Sequence, residues 1–101
     1  MMQSVWAQSF DSDIQEIYER LEIWQEDSGD AFYQDVLETV ETLRDNPFIG
    51  RVVFGNHVRR MLVHRRKFGI FYVVETRGLI LHRLLDMRQG SERIEYLLGQ
   101  I

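Results

Sequence analysis

The chain has 101 residues, 45% hydrophobic and 12% aromatic, with no cysteine and a net charge of −4. That describes a single domain, 1–101, with apolar material for one modest core. The missing cysteine excludes disulfides and thiolate metal sites, no stretch approaches the ~20 apolar residues of a membrane span, and no leader is evident, so a cytoplasmic protein is expected.

The net charge hides an asymmetry. Residues 1–46 hold twelve Asp/Glu and two Arg, a charge of −10, whereas residues 47–101 hold four Asp/Glu and ten Lys/Arg, a charge of +6. Two readings fit: acidic helices that neutralise their own basic sheet, or a basic half that meets an anionic partner.

Met2 to Ala7 reads as an edge strand or a frayed terminus. Asp11, Ser12 and Asp13 are candidate helix caps, and Ser12 with Gln15 fits a capping box. Ile14, Ile17, Tyr18, Leu21 and Trp24 then follow at helical spacing, which predicts a helix from about Ser12 to Gln25 with one apolar face. Asp27 to Asp30 is a short polar link in which Ser28 or Asp30 caps a second helix. Phe32, Val36, Val40 and Leu43 mark that helix's apolar face. Asn46-Pro47 stops it, because proline lacks an N–H and pushes its predecessor out of the α region. Two one-faced helices joined by so short a link predict an antiparallel hairpin, whose apolar side needs a sheet to cover.

Phe48 to Arg51 turns the chain into Val52-Val53-Phe54, which can add a few extended residues. Three strand-like runs follow: Val58–Val63, Phe68–Val74 and Leu79–Leu85. The middle run is apolar on both parities, as a central strand must be. Gly78 can take the positive φ of a tight hairpin. These runs predict an antiparallel meander in which Phe68, Phe71 and Tyr72 are core. Ser91 to Gly99, with Ile94, Leu97 and Leu98, predicts a short C-terminal helix, too short to be stable unpacked. The fold class is therefore α+β: an N-terminal strand, a helical hairpin on a three- to four-stranded antiparallel sheet (β-α-α-β-β-β), and a short last helix.

The chain carries no phosphate-binding glycine loop, nucleophile elbow or HExxH. His57, His64 and His82 are scattered on strands and make no metal set; no cofactor is expected. The cations are more telling. A meander gathers Arg65, Arg66, Lys67, Arg83 and Arg88 at one end of the sheet, leaving Arg59 and Arg60 toward the end that holds Arg77. The first cluster suits phosphate or an acidic peptide, or is an ordinary solvated rim.

The sequence of a helical pair, Asn46-Pro47-Phe48-Ile49-Gly50-Arg51, Val58-Arg59-Arg60-Met61-Leu62-Val63, Phe68-Gly69-Ile70-Phe71-Tyr72 and a last strand ending in Asp86-Met87-Arg88 resembles the RelE/ParE superfamily. These are toxins of bacterial type II toxin–antitoxin, or plasmid stabilisation, systems, and the N-P-x-x-G-R break resembles the ParE branch. The resemblance spans Trp6 to about Arg93. It implies a growth-inhibiting toxin with a cognate antitoxin, as a homodimer or a toxin–antitoxin heterotetramer. ParE-like members poison DNA gyrase; RelE-like members cleave messenger RNA on the ribosome. The nuclease pattern has an arginine where this chain has Gly69 and a tyrosine where it has Ile94, with Tyr96 two residues on. A gyrase inhibitor that is not an enzyme is thus preferred, with Arg60, Arg65, Arg66, Arg83, Arg88, Ile94, Leu97 and Leu98 as target or antitoxin contacts. The alternatives are a ribosome-dependent endoribonuclease using Arg60, His64, His82 and Arg88, and a non-toxic relic that only binds its antitoxin.

Overall fold

The computed structural model describes every residue, Met1–Ile101. In chain order the elements are β1 (Ser4–Trp6), α1 (Gln8–Trp24), α2 (Ser28–Asp45), β2 (Arg51–Phe54), β3 (Val58–Val63), β4 (Phe68–Glu75), β5 (Gly78–Asp86) and α3 (Ser91–Leu98). The strands form one sheet in the order β1-β5-β4-β3-β2. The α+β fold and the meander are as expected. The sheet has five strands, the N-terminal strand and four antiparallel ones, because both tentative segments pair at its edges. It is also mixed, since β1 runs parallel to β5 while the other pairs are antiparallel.

Helix α1 begins earlier than its cap residues suggested. Its N-cap is Ala7, with no side-chain cap, and the fully buried Phe10 sets the first turn by packing edge-on against Trp6. The three supposed caps lie inside the helix, and Asp13 is used elsewhere: it accepts the backbone N–H of Leu84. Ser9 Oγ likewise donates to the carbonyl of His82. β1 is short, so β5 beyond Leu81 would be an open edge, and the start of α1 satisfies it.

Trp24 also departs from expectation. It is 86% exposed. Ten residues at 100° each leave it about 80° round the helix from Ile14, and Phe10 takes the core place instead.

Helix α2 buries Phe32, Val36, Val40 and Leu43 and stops at Asn46-Pro47 as expected. Neither Ser28 nor Asp30 caps it: the N-cap is Asp27, in a left-handed conformation and without a side-chain bond. Glu22 of α1 accepts the free N–H of Gly29 in place of a cap.

The buried Tyr72 explains the N-P-x-x-G-R break. Its hydroxyl donates to Pro47 O and accepts from Gly50 N, each at 2.9 Å. Burial pushes its pKa up, so the phenol stays protonated and able to donate. Arg59 adds bonds to the carbonyls of Phe48 and Gly50.

The sheet has a core on each side. The hairpin side holds 14 buried residues, among them Phe10, Phe32, Phe68 and Tyr72. The other side holds five, Val58, Phe71, Val73, Leu85 and Leu98, with Ile94 and Leu97 packed beside them. Alternation along β4 divides Phe68, Ile70 and Tyr72 from Phe71 and Val73.

Candidate functional site: the basic end of the sheet

Pairing of Val63 with Phe68 leaves His64 to Lys67 to reverse the chain. Lys67 N–H donates to His64 O, and the two central residues, Arg65 and Arg66, have φ of 58° and 66°. This is the pattern of a type I′ turn, whose favoured sequence is Asn-Gly. His64 is left-handed too, at φ 54°. Three consecutive side-chain-bearing residues thus sit where roughly 1–2 kcal/mol each is lost relative to relaxed backbone. Arg65, Arg66 and Lys67 are exposed, and none of them takes part in an ion pair.

His64 is held firmly beside them. Its Nδ1 lies 2.7 Å from Asp35 Oδ2 on α2, and its ring meets Phe32 edge-on and stacks on Phe68. Arg88 stands next to Phe68, its guanidinium 6.0 Å from the ring centre. It grips Asp86 through two bonds, at 2.9 and 2.7 Å. That contact holds the Asp86 carboxyl below the usual carboxylate range and raises Arg88. Between this turn and the tip of the helical hairpin runs an open groove of about 620 Å³.

The expected site residues divide into groups. Arg65, Arg66, Lys67 and Arg88 do share one end of the sheet. Arg83 does not join them as a free cation: it is tied to Asp13 by paired bonds of 2.8 and 2.9 Å, with only 21% of its side chain exposed. The Asp13 carboxylate raises its pKa accordingly. Arg60 stands on the α3 side of the sheet, where its Cγ lies near Gly69. Leu98 is 3% exposed in the second core, so it packs on its own sheet rather than facing outward; Ile94 and Leu97 are half-buried there. His82 is the middle residue of β5, four positions short of Asp86 at the basic end, within the fields of Glu75, Arg77 and His57, and burial lowers its pKa. Arg60, His64, His82 and Arg88 are therefore not brought to one place.

Gly69 is covered by the flexible Met87 side chain. A Cβ there would stand 2.9 Å from Met87 Sδ and 3.2 Å from the Phe71 ring. Where the nuclease pattern has an arginine this chain has a glycine, which supplies no cation, and Met87 lies over it. Tyr96 points its ring at Arg93 on α3, 5.9 Å away.

Sequence reasoning missed Asp35, Asp13 and the exposed Trp24 as parts of this region. Asp35 pairs across 29 positions and Asp13 across 70, spacings that no local pattern reports. At the hairpin tip Glu22, Asp27 and Asp30 bring carboxylate oxygens within 4.8 Å of one another. Two of them are occupied by the chain's own donors: Glu22 by Gly29 N–H and Asp30 by Tyr18 Oη. The Asp30 bond pushes the Tyr18 pKa up to about 12. A second exposed feature is the apolar strip of Phe48, Ile49 and Val52 beside the free edge of β2.

Comparison with known proteins bears on this geometry. No curated protein matches the sequence significantly. Among solved structures, the chain is similar to one described as the chromosomal ParDE TA system from P. aeruginosa. The TM-score is 0.75 at 22% identity, covering 85% of this chain and 96% of the other; at that identity the likeness speaks for the fold. The family model for the ParE toxin of the type II toxin–antitoxin system parDE matches residues 5–90. That match takes in the hairpin, the Tyr72-clamped loop and all of the sheet but Ser4, and so the chain belongs to the ParE toxin family.

Proposed function

We propose that this ParE-family chain arrests growth by binding DNA gyrase and holding it on DNA, without cleaving RNA itself. The observation that carries the reading is the missing cation at Gly69, over which Met87 lies. RNA cleavage needs cations around the scissile phosphate and a group that moves the 2′-hydroxyl proton. Here Gly69 stands in the first place, Ile94 in the second, and the remaining basic and imidazole groups are dispersed over both sheet faces. The free cations Arg65 and Arg66, with Arg88 at the same end of the sheet, and Arg60 apart from them on the α3 face are the target contacts, and the half-buried Ile94 and Leu97 offer an apolar margin. Arg83 and Leu98 serve indirectly, by fixing α1 and α3 on the sheet.

A cognate antitoxin keeps the toxin silent. An acidic or amphipathic segment that folds on binding suits both the basic sheet half and the apolar strip at β2. Gyrase as target makes the protein cytoplasmic; no helix is long and apolar enough to cross a membrane. The assembly is a toxin–antitoxin heterotetramer or, for the free toxin, a homodimer.

The test is a gyrase supercoiling assay with the purified toxin, alongside toeprinting on translating ribosomes. Lost supercoiling with trapped cleavage complexes, and intact message, is the expected result. Unchanged supercoiling at excess toxin would overturn the reading. Message cut on the ribosome would replace it with the nuclease, and expression without growth arrest would leave a relic that only binds its antitoxin.

A further inference from the structure

We infer that the groove between the hairpin tip and the β3–β4 turn is a nucleotide site, with phosphate against the turn and base against Trp24. The inference does not depend on gyrase being the target.

The turn wall is built for an anion. Arg65 and Lys67 line the groove and have no ion-pair partner. Arg65 and its neighbour Arg66 fill the two left-handed positions where Asn-Gly would sit relaxed. Residues held in sparsely populated backbone regions cluster at binding sites, where the strain fixes groups before a ligand arrives.

His64 adds a fixed polar atom. Its Nδ1 is engaged by Asp35, and Nε2 has no partner in the chain. No buried side-chain nitrogen or oxygen is left unpartnered, so Nε2 must reach solvent, and His64 lines the groove. It faces a sugar hydroxyl as acceptor or, when the ring is charged, a phosphate oxygen as donor.

The opposite wall carries an aromatic ring and acids, and its one cation, Arg20, is paired with Glu16 at 3.5 Å. Trp24 is 86% exposed, and Glu26 and Asp27 line the groove beside it. These carboxylates repel phosphate, so inorganic phosphate or an acidic peptide satisfies only one wall. A nucleotide satisfies both. Its base offers a flat face for Trp24 and amino or ring N–H donors for the carboxylates, and its phosphate is left for Arg65 and Lys67. The groove, at about 620 Å³, lies in the usual size range of small-ligand sites.

The chemistry is the same for a free mononucleotide and for one unit of a single strand. The experiment uses the full-length, ¹⁵N-labelled toxin. The chain has two tryptophans, so Trp6, packed on Phe10, is an internal control for Trp24. GMP, a single-stranded RNA of about eight nucleotides and inorganic phosphate are titrated separately at low salt. Saturable shifts of the Trp24 indole and of residues 64–67 with GMP, leaving Trp6 still, support a free-nucleotide site; the same shifts with the oligonucleotide alone support a strand-binding one. Trp24→Ala is expected to weaken binding at least about 5-fold, the lower end of base–aromatic stacking, and the double change Arg65→Gln, Lys67→Gln about 10-fold or more. All three side chains are exposed and unpaired, so these variants fold. No saturation by either nucleotide ligand, equal shifts with inorganic phosphate, or variants that bind as the parent does would each overturn the inference.

Discussion

The two faces of the sheet are built to different standards. The hairpin face buries 14 residues under two long helices. The other buries five beneath α3, which has eight residues and no helical stability of its own. The same strands serve both, so the difference lies in what covers them. The hairpin face carries most of the packing, and the α3 face is thinly covered.

That contrast can be broken most directly by truncating one large residue on each side. Phe32→Ala empties a fully buried ring that packs on Phe68 and His64, and about 3–5 kcal/mol of stability should be lost. Leu98→Ala, in the thinner core, should cost about 2 kcal/mol, since a short terminal helix can settle into the space. Urea denaturation of both measures the gap; equal losses would show that α3 is as integral as the hairpin.

Tyr72→Phe sharpens the comparison on the hairpin side, because it removes no apolar packing. It strands the Gly50 N–H and Pro47 O, both bonded to the hydroxyl. A loss of about 1–3 kcal/mol is expected, with faster amide exchange at Gly50 and little change at α3.

At the basic turn the direction should reverse. Arg66→Gly relieves a left-handed arginine at φ 66°, and the gain, offset by glycine's greater freedom when unfolded, should be up to about 1 kcal/mol. Thermal melting reads it as a higher Tm. A fall would mean that Arg66 makes a contact worth more than its strain.

The smallest effect concerns His82. Burial holds its folded pKa below the ordinary value of 6.5. As pH falls below that value, the unfolded chain takes up a proton the folded chain still resists, so stability declines until the folded pKa is also passed. His82→Gln should flatten that decline, measured as the difference in ΔG between neutral and mildly acidic buffer.

Much of this protein was legible locally. The Phe32-Val36-Val40-Leu43 stripe, the stop at Asn46-Pro47, the doubly apolar β4 and the reversal at Gly78 all follow from side-chain order over a few residues. Helix period, strand period and proline's missing N–H act at that range. The end of the sheet at which Arg65, Arg66, Lys67 and Arg88 meet followed as well, since a meander reverses direction at each strand. Tertiary structure alone decided the rest. The start of α1 was set by Phe10 finding Trp6 and by Ser9 and Asp13 finding the open edge of β5. Arg83 was drawn from the basic cluster to Asp13, and His64 was fastened to Asp35. Leu98 turned inward because the second sheet face was apolar and otherwise bare. Apart from the local Trp6–Phe10 contact, the bonds that made these choices join groups 29 to 73 positions apart, where the energy depends on which faces fold together, and the order of residues along the chain does not record that.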